Sequence, residues 1–139
     1  MSAMPPLVAS TFVALGGGMG AVLRYQLGRQ MTHWMGPAMV TTFPWATLAV
    51  NALGSLAMGL LAGFLARHGG EGIGSSEQWR LLLGVGLLGG FTTFSAFSLE
   101  MVLMIQRGQY LFAGIYLLLS VALGVTGLVF GLAVMRLVG

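Results

Sequence analysis

The sequence predicts an all-α integral membrane protein with four transmembrane helices per chain, the third of them broken in mid-membrane. Three observations predict it. The 139 residues are 57% hydrophobic and only 6% charged, with a mean hydropathy of +0.92, whereas a water-soluble domain carries about a quarter charged residues. Four apolar runs, each near the roughly 20 residues that a hydrocarbon core about 30 Å thick requires, take up nearly the whole chain. The third run is interrupted by Gly89-Gly90-Phe91-Thr92-Thr93-Phe94-Ser95-Ala96-Phe97-Ser98, two glycines and four hydroxyls, a composition that argues for a broken helix.

The expected domain is a single four-helix unit over residues 1–139, with spans near 6–28, 43–66, 79–105 and 110–138. The N-terminus has no basic segment and no small-residue cleavage site ahead of its apolar run, so that run is expected to be retained as a helix. The first span, Pro6 to Gly28, holds Gly16, Gly17, Gly18 and Gly20 with a GxxxG spacing. It is followed by a polar segment, Arg29 to Thr42, in which His33 and Trp34 suit an interface. The second span opens on Pro44 and Trp45, a helix-start proline beside an interfacial aromatic. Its Ser55, Gly59 and Gly63 recur every four residues, placing small side chains on one face for close helix contact. Arg67 to Gln78 reads as an exposed loop. The fourth span carries Ser120, Gly124, Thr126, Gly127 and Gly131, again a face for tight packing. No internal repeat is visible.

The net charge of +3 comes from six Arg and three Glu. These charges are scattered, so no basic patch for nucleic acid is implied. With no cysteine there is no disulfide framework or thiolate site. There is no Ser/His/Asp set, HExxH, P-loop or dinucleotide fingerprint, and an enzymatic reading has no support.

Arginine placement bears on orientation. Four spans put Arg67, Arg80 and Arg136 on one side and Arg24, Arg29 and Arg107 on the other. Orientation follows the excess of Lys and Arg in cytoplasmic loops, so a three-to-three tie predicts insertion both ways round. Four helices leave little room for a lined pore, and two oppositely oriented chains then form an antiparallel homodimer with self-complementary contacts.

The polar residues in the spans carry the chemistry. Asn51 lies inside the second span, where a carboxamide is costly unless hydrogen-bonded; its amide can donate two hydrogen bonds, as an anion requires. Thr47 lies on the same face one turn earlier. Phe91, Phe94 and Phe97 recur every three residues between hydroxyls. Ring edges are positive and faces negative, so such a row suits an anion edge-on or a cation face-on. Backbone freed by the helix break must face protein, an ion or water, because lipid cannot satisfy it. Glu100 sits two residues past the motif and is expected near an interface or paired with an arginine such as Arg24.

The segment Gly89 to Glu100 resembles the signature of the Fluc (CrcB) fluoride channels. Three further segments agree with it: Gly16 to Arg24 looks like that family's glycine-rich first helix, Thr47 to Gly54 like its TLxxN segment, and Arg107-Gly108 with Tyr110 like its third loop. The resemblance implies a dual-topology homodimer in the bacterial inner membrane, with two passive fluoride pathways that lower cytoplasmic fluoride and give resistance to it. It further implies that Phe94 and Phe97 are pore aromatics, that Asn51 is a donor in the same pathway, and that Thr47, Ser95 and Ser98 are polar neighbours. A structural sodium ion is implied at the dimer centre, held by the backbone carbonyls of Gly89 and Thr92. Phe91 is not placed in the pore. Two other classes compete: a small proton-coupled exporter, which calls for an acid at membrane depth, and a non-transporting scaffold in which the phenylalanines only pack.

Overall fold

The computed structural model describes residues 4–68 and 76–138. Four helical segments are long and apolar enough to cross a membrane: Pro6–Met35, Trp45–His68, Ser76–Gln106 and Tyr110–Leu137. Large apolar side chains point outward, among them Leu7, Leu118 and Phe130. Such an inverted surface suits lipid or further protein as its neighbour.

The first helix, α1 (Pro6–Met35), starts on a proline in its first turn and runs for 30 residues. The sequence expectation ended it at Gly28. The helix goes on because Arg29, Gln30 and Met31 are strong helix formers, so the polar segment forms its last turns. At 1.5 Å per residue α1 is about 45 Å long, longer than a hydrocarbon core is thick. Gly36, at φ 82°, ends it and donates its N–H to the Thr32 carbonyl at 3.0 Å. A short helix, α2 (Pro37–Thr42), follows; the segment expected to be only polar connection is therefore helical for most of its length.

Helix α3 (Trp45–His68) begins after Pro44, as expected. The predicted loop Arg67 to Gln78 is shorter than the sequence suggests, because Arg67 and His68 close α3 and Ser76 opens the next helix; residues 69–75 lie outside the described residues. The third segment is composite. It begins as α4 (Ser76–Trp79), widens into a π-helical stretch Arg80–Leu88, returns to α-geometry as α5 (Gly89–Phe91), stops, and resumes as α6 (Phe94–Gln106). The interruption falls on Thr92 and Thr93, both extended in ψ, about halfway along the segment. Gly108, at φ 72°, turns the chain into α7 (Tyr110–Leu137).

Glycine faces decide which helices touch. On α3, a methyl group at Gly59 would collide with the Leu128 backbone and one at Gly63 with Met135; reciprocally, one at Gly131 of α7 would meet the Leu56 carbonyl. The small-residue faces predicted on the second and fourth spans are thus packed on each other. The GxxxG pair of α1 does the same against the third segment: Gly16 lies on the Leu82 and Leu87 backbone, and Gly20 on Leu87 and Phe91. Without Cβ atoms the backbones approach closely enough for extensive dispersion contact. The most buried cluster, Phe43, Leu48, Met104, Ala113 and Tyr116, ties α3, α6 and α7 together.

Candidate functional site

The site is built around the broken third segment, and Asn51 of α3 is its anchor. Thr93 N–H donates to Asn51 Oδ1 at 2.8 Å, and Asn51 Nδ2 donates to the Thr93 carbonyl at 3.0 Å. A side-chain amide therefore replaces two helical partners at the break. Thr93 also caps α6, its Oγ1 accepting from Ala96 N–H at 3.2 Å and lying 3.3 Å from Ser95 Oγ. An N-cap hydroxyl of this kind is the usual way to start a helix.

The diversion of these two amides has a consequence for other atoms. In an unbroken helix Thr93 N–H would bond the Gly89 carbonyl, and Ala96 N–H the Thr92 carbonyl. Both donors are spent elsewhere, so the carbonyls of Gly89 and Thr92 lose their i+4 partners. Two carbonyl oxygens released a turn apart form a donor set suited to a hard cation.

Asn51, Phe94, Phe97 and Ser120 share a groove of about 360 Å³ floored by Gly54 and Ser55. The Phe94 and Phe97 rings are 5.7 Å apart at 34°, and Phe97 lies 5.1 Å from the Tyr116 ring. Asn51 uses one amide hydrogen on Thr93 and keeps the other. Ser120 Oγ is buried without a hydrogen-bond partner, a condition that costs free energy unless something accepts from it or donates to it. The sequence offered Ser120 only as a packing residue. A lone serine among glycines looks the same in either role until the helix opposite is known.

A second, larger cavity of about 1080 Å³ lies between α1, α2, α3 and α6. Thr47, Thr93 and Ser95 line one part, and Arg24, Arg29 and His33 line another. Thr93 borders both cavities. The residues expected together by sequence are thus divided: Asn51, Phe94 and Phe97 share the groove, while Thr47 and Ser95 face the larger cavity. Ser98 Oγ donates to the Phe94 carbonyl at 3.0 Å. Phe91 lies against Gly54 beside Thr92.

Glu100 is not paired with Arg24. Its Oε1 accepts from Thr47 Oγ1 and its Oε2 from the Tyr116 hydroxyl, each at 2.7 Å. The reason is positional: α3 and α7 both pack on α6, so two hydroxyls reach the carboxylate, while Arg24 sits on α1 facing the larger cavity. Bonds of this type are short and strong because the acceptor is charged. Tyr116 is completely buried. Nothing in the local sequence marks Tyr116 as the partner, since it lies sixteen residues away on another helix.

Comparison with known proteins agrees with this architecture. The family described as CrcB-like protein, Camphor Resistance (CrcB), matches residues 11–132. A protein of Erythrobacter litoralis (strain HTCC2594) named fluoride-specific ion channel FluC is 60% identical over 137 residues, 99% of this chain and 98% of its own length. Proteins of the same name from Novosphingobium aromaticivorans and Phenylobacterium zucineum (strain HLK1) are 57% and 55% identical, covering 94% and 92% of this chain and 98% and 95% of their own lengths.

Proposed function

The chain belongs to the CrcB family, and from that premise we propose that it is a multi-pass fluoride channel that lets fluoride leave the cell passively. It is a channel and not an enzyme. The observation that carries the reading is the groove in which the free amide hydrogen of Asn51, the unpartnered Ser120 hydroxyl and the rings of Phe94 and Phe97 converge.

Fluoride holds its water tightly, and burying the bare ion would be prohibitive. The groove offers replacements for that water. Asn51 and Ser120 supply N–H and O–H donors, and phenylalanine edges supply weakly positive C–H groups. Several weak sites in series let an ion enter and also leave. Thr47 and Ser95, across Thr93 in the larger cavity, extend the polar lining toward open water, and Ser98 stands as their neighbour one turn along α6. The Thr93 clasp keeps the Asn51 amide from rotating, so its second hydrogen is presented in one direction.

The working unit of this reading is an antiparallel homodimer of dual-topology chains in the bacterial inner membrane, with the break in α5–α6 at mid-membrane. Two observations support it: the even division of arginines, and Phe94, which is 79% exposed in the single chain and needs a second chain to close the groove over it. A structural sodium ion at the dimer centre fits the carbonyls of Gly89 and Thr92, which have lost their helical partners to Asn51 and Thr93 Oγ1. Such an ion supplies positive charge that ties the two breaks together; the chain's own part is to aim those oxygens.

The test is fluoride efflux from vesicles containing only the purified protein, with no proton gradient. Efflux under those conditions is expected. Impermeable vesicles would overturn the channel, and efflux only with a proton gradient would make the protein an exporter.

A further inference from the structure

The larger cavity has charged residues at a part of its wall that the pathway described above does not use. Arg29 and His33 sit one turn apart on α1, beyond Arg24. They belong to the stretch that the sequence left as a polar connection and that the structure shows as continued helix. The Arg29 guanidinium lies 5.9 Å from the centre of the Tyr25 ring, itself on the same cavity wall, a cation–π contact that keeps the charge beside the cavity rather than free in water. His33 is exposed. The wall contributed by α2, α3 and α6 carries no charged side chain; the nearest is Glu100, behind Thr47 and bonded to it. On α1 the titratable and charged groups on the wall are Arg24, Tyr25, Arg29 and His33.

We propose that Arg29 and His33 form an anion-collecting mouth for the pathway, and that the charge on His33 makes fluoride entry depend on pH. The proposal rests on the reading of the chain as a fluoride channel. A cleft lined by one sign of charge raises the local concentration of the opposite ion. Imidazole is the side chain whose charge ordinarily changes between about pH 5 and 8. A unit charge gained about 8 Å from an anion in water raises its occupancy about twofold. The cavity wall continues from His33 to Thr47, Ser95 and Thr93, so an ion gathered at the mouth is already beside the break. The effect acts on entry and fades as salt screens it, within a Debye length of about 3 Å at 1 M.

The experiment measures fluoride efflux at low fluoride and low ionic strength at about pH 6 and about pH 8, subtracting the leak of protein-free vesicles. The unmodified chain is expected to pass fluoride about twofold faster at the lower pH. His33→Gln is expected to lose that difference, and His33→Arg to conduct at the faster rate at both. Arg29→Gln is expected to slow entry at both. Equal rates for the unmodified chain, or a full pH difference retained in His33→Gln, would overturn the collecting mouth while leaving the channel in place. Absence of fluoride efflux at either pH would overturn both.

Discussion

Asn51 and Thr93 hold each other through two hydrogen bonds, one to the threonine N–H at 2.8 Å and one to its carbonyl at 3.0 Å, joining α3 to the break in the third segment. Thr93 is 9% exposed, so water cannot take over either bond. Asn51→Ala is therefore expected to cost about 1–3 kcal/mol for each backbone group left unpaired and to cut fluoride efflux on the order of tenfold. Thermal unfolding in detergent and vesicle efflux read the two effects. Unchanged values in both would remove Asn51 from the clasp and from the pathway.

Gly20 and Gly18 lie two residues apart on α1 and differ in surroundings. A methyl group at Gly20 would run into the Leu87 carbonyl, while one at Gly18 meets nothing within 4 Å. Gly20→Ala is expected to destabilise by about 1–3 kcal/mol through overpacking. Gly18→Ala should be neutral, or stabilise the helix by up to about 1 kcal/mol. Equal melting temperatures for the two variants would show that α1 does not rest on the third segment as described.

Glu100 draws α3 and α7 onto α6 through Thr47 and Tyr116. Tyr116→Phe keeps the ring and deletes one charge-assisted bond, an expected loss of about 1.5–3 kcal/mol. A double-mutant cycle with Glu100→Gln isolates the pair, because only groups in contact show a coupling term. Strictly additive losses would mean that the carboxylate and phenol do not act on each other.

Phe94 and Phe97 are expected to separate structure from transport. Phe97 packs on Tyr116 and beside the buried cluster, so Phe97→Ala should lower stability, though by less than the roughly 3–5 kcal/mol of a fully buried ring. Phe94 is 79% exposed; Phe94→Ala should spare the fold of the single chain and still reduce efflux. The contrast is read by melting and by flux on the same two proteins, and a destabilised Phe94→Ala with normal flux would reverse the assignment.

Much of the architecture was legible because hydrocarbon imposes length and composition on whatever crosses it. The four spans followed from apolar runs, and the faces Ser55/Gly59/Gly63 and Gly124/Gly127/Gly131 followed from small residues at helical spacing. The break followed from glycines and hydroxyls in an apolar run, though not its placement at Thr92 and Thr93. The extension of α1 to Met35 escaped because apolarity, not helix propensity, set the expected boundary. The π-helical stretch Arg80–Leu88 escaped because a change in hydrogen-bond pattern leaves no residue-type signature. The partners of Glu100 escaped for another reason: both lie on other helices, and their meeting depends on how glycine faces dock. Thr93 was passed over in favour of Thr92, yet its hydroxyl three residues before Ala96 is the ordinary spacing of a helix cap.

The break at Thr92 and Thr93 also sets the end of one helix against the beginning of another. Aligned peptide dipoles leave about half a negative charge at a carboxyl end and about half a positive charge at an amino end. Phe91 closes the first stretch and Phe94 opens the second, so opposite poles stand two residues apart. An uninterrupted cylinder would bury both poles at its far tips, whereas this junction presents a cation-seeking and an anion-seeking terminus side by side.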